Sequence, residues 1–187
     1  MTKLLALMAL ATSTFTAPGF GAQIPRKAPE FVFKMADGSQ QLLSMYKGKA
    51  IVLAFMYTTC PHCQKTAQVL TQIQKEYAAK GVQMLGAVFD QGAAQRVVEF
   101  HNGLGLNFPV GVSDTRAVLE YLQFPIGDPY FVPILVFIDK HGMIRSQYIG
   151  DEAFLSHQEV NIRAEIDKFL KGTTTTSSTA AQKTPKS

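Results

Sequence analysis

Three apolar runs set the frame of the chain: Ala50–Tyr57 (AIVLAFMY), Val82–Phe89 and Ile134–Asp139. None shows the alternation of a half-solvated strand, so each predicts a strand buried on both faces of a sheet. Between the first two, apolar residues recur every three to four positions, at Ala67, Leu70, Ile73 and Tyr77. That spacing predicts a helix over 61–79, stopped by Gly81. Helical patterns also cover 92–103, carrying Val97, Val98 and Phe100, and 115–122. A closing helix over 159–170 places Ile162, Ile166, Phe169 and Leu170 on one side. Shorter strands are expected at 31–34 and 41–43 around Asp37-Gly38, and at 108–112. Met143–Ile149 follows a Lys140-His141-Gly142 turn and forms a hairpin with the third run. Strand, helix, strand, helix, hairpin and helix in this order predict an α/β domain with a mixed sheet covered on both faces.

The ends break the pattern. Lys3 precedes an apolar stretch, Leu4–Ala11, and a region rich in small residues up to Ala22. The stretch is shorter than the roughly 20 residues that span a bilayer, so 1–22 reads as a cleavable export signal. Cleavage after Gly21 leaves Gly19 three residues before the break and fits better than cleavage after Ala22, which leaves Phe20 there. An uncleaved signal would act as a membrane anchor; otherwise no stable membrane insertion is expected. From Gly172 the chain is a Thr/Ser-rich tail with no apolar stripe, so 172–187 is expected to be disordered. The folded domain is expected over 28–171. A net charge of +4 with scattered Lys and Arg gives no basic cluster for nucleic acid.

The chain has 2 cysteines, Cys60 and Cys63, in the sequence Cys60-Pro61-His62-Cys63. A structural disulfide framework uses more cysteines at wider spacing. Cys60 is expected just after a buried strand and at the start of a helix. The unpaired N–H groups of a first helical turn favour an anion there. Pro61 suits the first helical position, and Cys63, three residues on, shares a face with Cys60. This arrangement suits thiol–disulfide exchange, in which a thiolate attacks and a second thiol resolves. His62 is a candidate tuning residue, because its donors and its charge when protonated favour the thiolate further. A solvated loop histidine is the plainer reading. Zinc would need two more ligands, and only His101, His141 and His157 remain, without ligand spacing. No metal and no cofactor are expected.

These residues, with Ala28-Pro29-Glu30-Phe31, Tyr46-Lys47-Gly48-Lys49, Asn107-Phe108-Pro109-Val110, Val132-Pro133 and Phe137-Ile138-Asp139-Lys140-His141-Gly142, resemble the exported TlpA/ResA-like (redoxin) branch of the thioredoxin superfamily. The resemblance spans 28–170. It implies a thioredoxin fold with an added N-terminal β-hairpin and the cysteines at a strand–helix junction. It also implies that Pro133 is cis beside the disulfide and that Val132 offers its backbone to substrate. The activity implied is disulfide exchange with exported proteins in the bacterial periplasm or another extracytoplasmic space. The partners are then protein thiols and disulfides, with a separate redox partner.

Several positions depart from the family. Thr59 and Thr66 stand where reducing members often carry Trp and Glu, and Ala54 stands where thioredoxin has a buried acid. Asp90 is a substitute acid or, more simply, a solvated turn residue. The Pro-His dipeptide resembles the oxidant DsbA, yet only about 70 residues separate Cys63 from Pro133, too few for the helical domain of that group. A peroxiredoxin would place Thr and Pro where Tyr57 and Leu53 stand. A Sco-like copper module is the alternative, with His141 or His157 as third ligand. Tyr57, Tyr130 and Phe131 either line a substrate groove or pack. Met56 and Met84 are expected in the core, and His101 in solvent.

Overall fold

The apolar runs become the middle of a single sheet. The computed structural model describes residues 22–150 and 152–171, so the export-signal and tail readings fall almost wholly outside the described residues. The strands are β1 (Arg26–Lys27), β2 (Val32–Lys34), β3 (Gln40–Leu42), β4 (Ala50–Met56), β5 (Val82–Val88), β6 (Val110–Val112), β7 (Ile134–Ile138) and β8 (Met143–Ile149). The helices are α1 (Pro61–Tyr77), α2 (Ala93–Gly103), α3 (Thr115–Leu122), α4 (Glu152–Leu155) and α5 (Gln158–Leu170). The 8-stranded sheet has the order β1-β8-β7-β4-β5-β6-β2-β3. β4, β5 and β6 run parallel; β7 runs antiparallel to β4. The sheet is therefore mixed, as expected.

Every residue of β4 is buried, because both faces of this central strand are covered. Val52, Ala54 and Met56 face the side closed by α1, α2 and α5. Ile51, Leu53 and Phe55 face the side closed by α3 and the N-terminal segments. Full burial of a large apolar side chain contributes about 2 kcal/mol. Met56 and Met84 are in the core.

The β2–β3 hairpin joins the sheet through Lys34 opposite Val112. β1, on the other edge, was not expected from the sequence, and neither was α4. A strand of 2 residues and a helix of 4 are too short to show a period. α1 ends at Tyr77, and a 3₁₀ turn over Ala78–Lys80 carries the chain to Gly81, whose φ of 78° completes the stop.

Candidate active site

β4 and β5 end side by side, Met56 beside Val88, and the chain leaves β4 through Tyr57, Thr58 and Thr59 into α1. Cys60 is the N-cap of α1, with extended backbone (φ −86°, ψ 117°), and Pro61 follows at the first helical position. The Cys60 sulfur takes the role of a capping oxygen: the Cys63 N–H donates to Sγ at 3.4 Å. Both cysteines are free thiols. Cys60 is half-buried, whereas Cys63 is 0% exposed. Burial pushes the Cys63 thiol up strongly. The Tyr57 N–H, donating to Cys63 Sγ at 3.5 Å, pulls the other way. Cys60 and the charge of Asp90 add to the upward shift.

The loop before β7 covers the pair. The Val132–Pro133 peptide is cis, as the resemblance implied. The Val132 carbonyl oxygen lies 4.0 Å from Cys60 Sγ, so the residue expected to meet substrate does stand against the outer sulfur. The Gly150 N–H donates to the Pro133 carbonyl at 3.1 Å. Gly150 has a φ of 45°, and a Cβ there would overlap Phe131, so only glycine fits this approach. Phe131 itself is 72% exposed and free to meet a partner. Tyr57 and Tyr130, by contrast, pack. Their hydroxyls are 2.8 Å apart, and both rings contact Phe89.

The polar residues around the pair are partly as expected. His62 is exposed on the first turn of α1 and hydrogen-bonds neither sulfur. Ala54 is fully buried, and Thr66 donates to Gln158 Oε1 at 2.7 Å, tying α1 to α5. Neither supplies a proton carrier. Asp90 is not the solvated turn residue that its position suggested. Its side chain is 9% exposed and forms an ion pair with Arg96 at 2.6 Å. It also accepts from Thr58 N–H at 2.8 Å and from Thr58 Oγ1 at 2.7 Å. Burial opposes its ionisation, but the hydrogen bonds from Thr58 and Arg96 outweigh that and hold it below the usual carboxylate range. Arg96, one turn along α2, is the functional candidate that the sequence did not reveal. A lone arginine on a helix gives no signal of its partner.

The other histidines separate from the sulfurs. His101 is not in solvent: it is half-buried, with Nε2 3.2 Å from the Phe108 carbonyl oxygen. His141 sits in the β7–β8 turn, at the end of β7 remote from Pro133. His157 is exposed before α5, with Nδ1 3.1 Å from Ser156 Oγ. Among the described residues, no three His, Cys, Asp or Glu side chains are grouped to hold a metal ion.

Known proteins share this fold and the enzyme class. Residues 24–147 match the AhpC/TSA family. The thiol-disulfide oxidoreductase ResA of Bacillus thuringiensis (strain Al Hakam) is 30% identical over 130 residues, covering 70% of this chain and 72% of the relative. A thiol:disulfide interchange protein of the thioredoxin family from Chlorobium tepidum superposes with a TM-score of 0.65 at 23% identity, over 80% of this chain and 99% of that one. A secreted disulfide oxidoreductase of Mycobacterium tuberculosis, homologous to DsbE, superposes with a TM-score of 0.57 at 19% identity, over 72% and 95%. With a cysteine pair at the mouth of a thioredoxin-like sheet and curated ResA relatives, the chain belongs to the AhpC/TSA (redoxin) family, in its ResA-like branch of thiol–disulfide oxidoreductases.

Proposed function

We propose that this oxidoreductase works outside the cytoplasm and exchanges disulfides with exported proteins through Cys60-Pro61-His62-Cys63. The observation that carries the reading is the unequal placing of the two sulfurs. Cys60 is reachable, caps a helix and faces the Val132 carbonyl. Cys63 is sealed behind it.

Cys60 is the attacking group. In the reducing direction its thiolate attacks one sulfur of a client disulfide, and the other client sulfur leaves as a thiolate and takes a proton. Cys63, deprotonated, then attacks the Cys60 sulfur. The Cys60–Cys63 bond forms, the Cys60–client bond breaks, and the client leaves with two electrons. The oxidising direction is the same sequence reversed. A separate redox partner restores the starting state. His62 lies two residues after Cys60, exposed on the first turn of α1, and the proposal keeps it as a tuning residue. Val132 and the cis Pro133 form the floor on which a client strand lies.

The export reading rests on the pattern of residues 1–22. The family relationship is consistent with it: one protein of this fold, from Mycobacterium tuberculosis, is described as secreted. Among the described residues no helix is long and apolar enough to cross a membrane.

The test is client capture in the producing cell. Cys63→Ser should accumulate mixed disulfides with exported proteins, and Cys60→Ser should lose all exchange activity. Full exchange activity in Cys60→Ser would sink the reading. The same cells give the processed N-terminus by mass spectrometry, which is expected to be Ala22 or Gln23.

A further inference from the structure

The turn that carries Cys60 is held from an unusual direction. Thr58 is 5% exposed, and each of its polar groups is bonded. Its N–H and hydroxyl donate to the two oxygens of Asp90, at 2.8 and 2.7 Å. Its hydroxyl oxygen also accepts from Arg96 Nε at 2.8 Å, and its carbonyl accepts from Gln64 Nε2 at 2.9 Å. Arg96 closes the ring on Asp90 Oδ2 at 2.6 Å and reaches the Gln91 carbonyl as well. The adjoining peptide is Tyr57, whose N–H points at Cys63 Sγ and whose carbonyl accepts from Cys60 N–H. Rotating this turn would break all these bonds together.

We infer that Asp90 and Arg96 are positioning residues for the resolving step: their ion pair holds Thr58, and with it the Tyr57 N–H against Cys63, and its charge balance sets how readily Cys63 gives up its proton. The inference rests on Cys63 being the resolving thiol. It also accounts for the lack of an acid at Ala54 and Thr66. A buried carboxylate acts here at a distance, and its neighbour on α2 moderates it.

The groups facing Cys63 are few. Its own helix presents Cys60, with His62 exposed on the same turn and hydrogen-bonded to neither sulfur. The end of β5 presents Asp90, and α2 adds Arg96 through it. The end of β4 presents the Tyr57 hydroxyl, which is bonded to Tyr130 and driven further from ionising by burial. The α4–α5 side contributes Phe154 to the same core and the uncharged Thr66–Gln158 pair. Among the described residues, Asp90 is the carboxylate whose charge reaches Cys63 and Arg96 is its ion-pair partner, so the two should act with opposite sign.

The test follows the resolving step alone. The reduced full chain is mixed with one equivalent of the aromatic disulfide DTNB. Cys60 attacks it and releases one thionitrobenzoate. Cys63 then attacks Cys60 and releases the second, and this second phase is timed against pH. Asp90→Asn removes the charge while keeping an acceptor for Thr58 N–H. It should move the midpoint to lower pH and speed the phase at neutral pH about threefold, the equivalent of half a pH unit. Arg96→Gln exposes the carboxylate and should move the midpoint to higher pH with a similar slowing. Arg96→Lys, which keeps the charge, should restore a midpoint close to that of the parent. It also serves as the charge test if Arg96→Gln does not fold. Unshifted midpoints, or shifts in the same direction in folded variants, would overturn the inference. Absence of any second phase in the parent protein would instead overturn the resolving role of Cys63.

Discussion

Asp90 and Asp139 are the same device at opposite ends of the sheet. Each follows a buried strand, each side chain is about one-tenth exposed, and each pairs with an arginine at 2.6 Å. Each accepts backbone N–H from a neighbouring turn, one group at Asp90 and two at Asp139. Asp139 Oδ1 takes those of His141 and Met143, both at 2.9 Å, and so shapes the β7–β8 turn. Asp90 takes that of Thr58 and so shapes the turn before Cys60. Because β7 is antiparallel to β4, Ile138 lies beside Ile51, and Asp139 is a strand length away from the cysteines, about 17 Å at 3.3 Å per residue. The difference lies in what each turn carries. One holds a hairpin, and the other holds a peptide N–H against a thiol. A similar bonding pattern shapes a hairpin turn in one place and the turn before the cysteine pair in the other.

The comparison can be broken. The largest effect expected at the Asp139 end is on stability. Asp139→Ala strands the two turn N–H groups and the Arg145 partner, and should cost about 3 kcal/mol in denaturant unfolding. The second phase of the DTNB reaction should keep its midpoint. A shifted midpoint in that variant would show that the two ends are coupled.

Acid sensitivity sharpens the comparison further. Burial opposes ionisation of both aspartates, but hydrogen bonds and arginine lower both below the usual carboxylate range. A depressed carboxyl contributes stability above its unfolded value, near 3.9, and loses it as pH falls through the folded value. Stability should therefore drop as pH falls below about 4. Asp90→Asn and Asp139→Asn should each flatten that drop, measured by denaturant titration at several pH values, and the double variant should flatten it most. An unchanged slope would mean that neither carboxyl is linked to folding.

The smallest effect belongs to Thr66. Thr66→Val removes the bond to Gln158 and should cost about 1 kcal/mol. It should leave the resolving midpoint in place, since no charge is lost. A shift would give the Thr66–Gln158 pair a role in proton transfer.

The sequence carried the fold where its period was long. The runs at β4, β5 and β7 and the stripe Ala67–Tyr77 each became the expected element, because uniform burial leaves an unbroken apolar trace. β1 and α4 left no such trace. The local part of the candidate site was legible too, since Cys60, Pro61 and Cys63 fall within four residues and their placing depends on local helix geometry. The Asp90–Arg96–Thr58 ring was not, because its members come from three elements that only the sheet order brings together. From the sequence Asp90 is a substitute acid or a solvated turn residue; its bonds to Thr58 and Arg96 exclude the solvated reading. His101 misled because its partner is a backbone carbonyl: the strand expected over 108–112 begins only at Val110, which leaves the Phe108 carbonyl in the preceding loop within reach of the ring.

The burial of Cys63 has a consequence for oxidative damage. To a small oxidant or alkylating agent this molecule offers a single thiol, since Cys63 is 0% exposed and Cys60 is not sealed. A peroxide would turn Cys60 into a sulfenic acid, with the partner thiol in the same helical turn. Condensation to the disulfide, with loss of water, then competes with the irreversible step to sulfinic acid. The arrangement that hides the resolving thiol from solvent thus also keeps the exposed one recoverable.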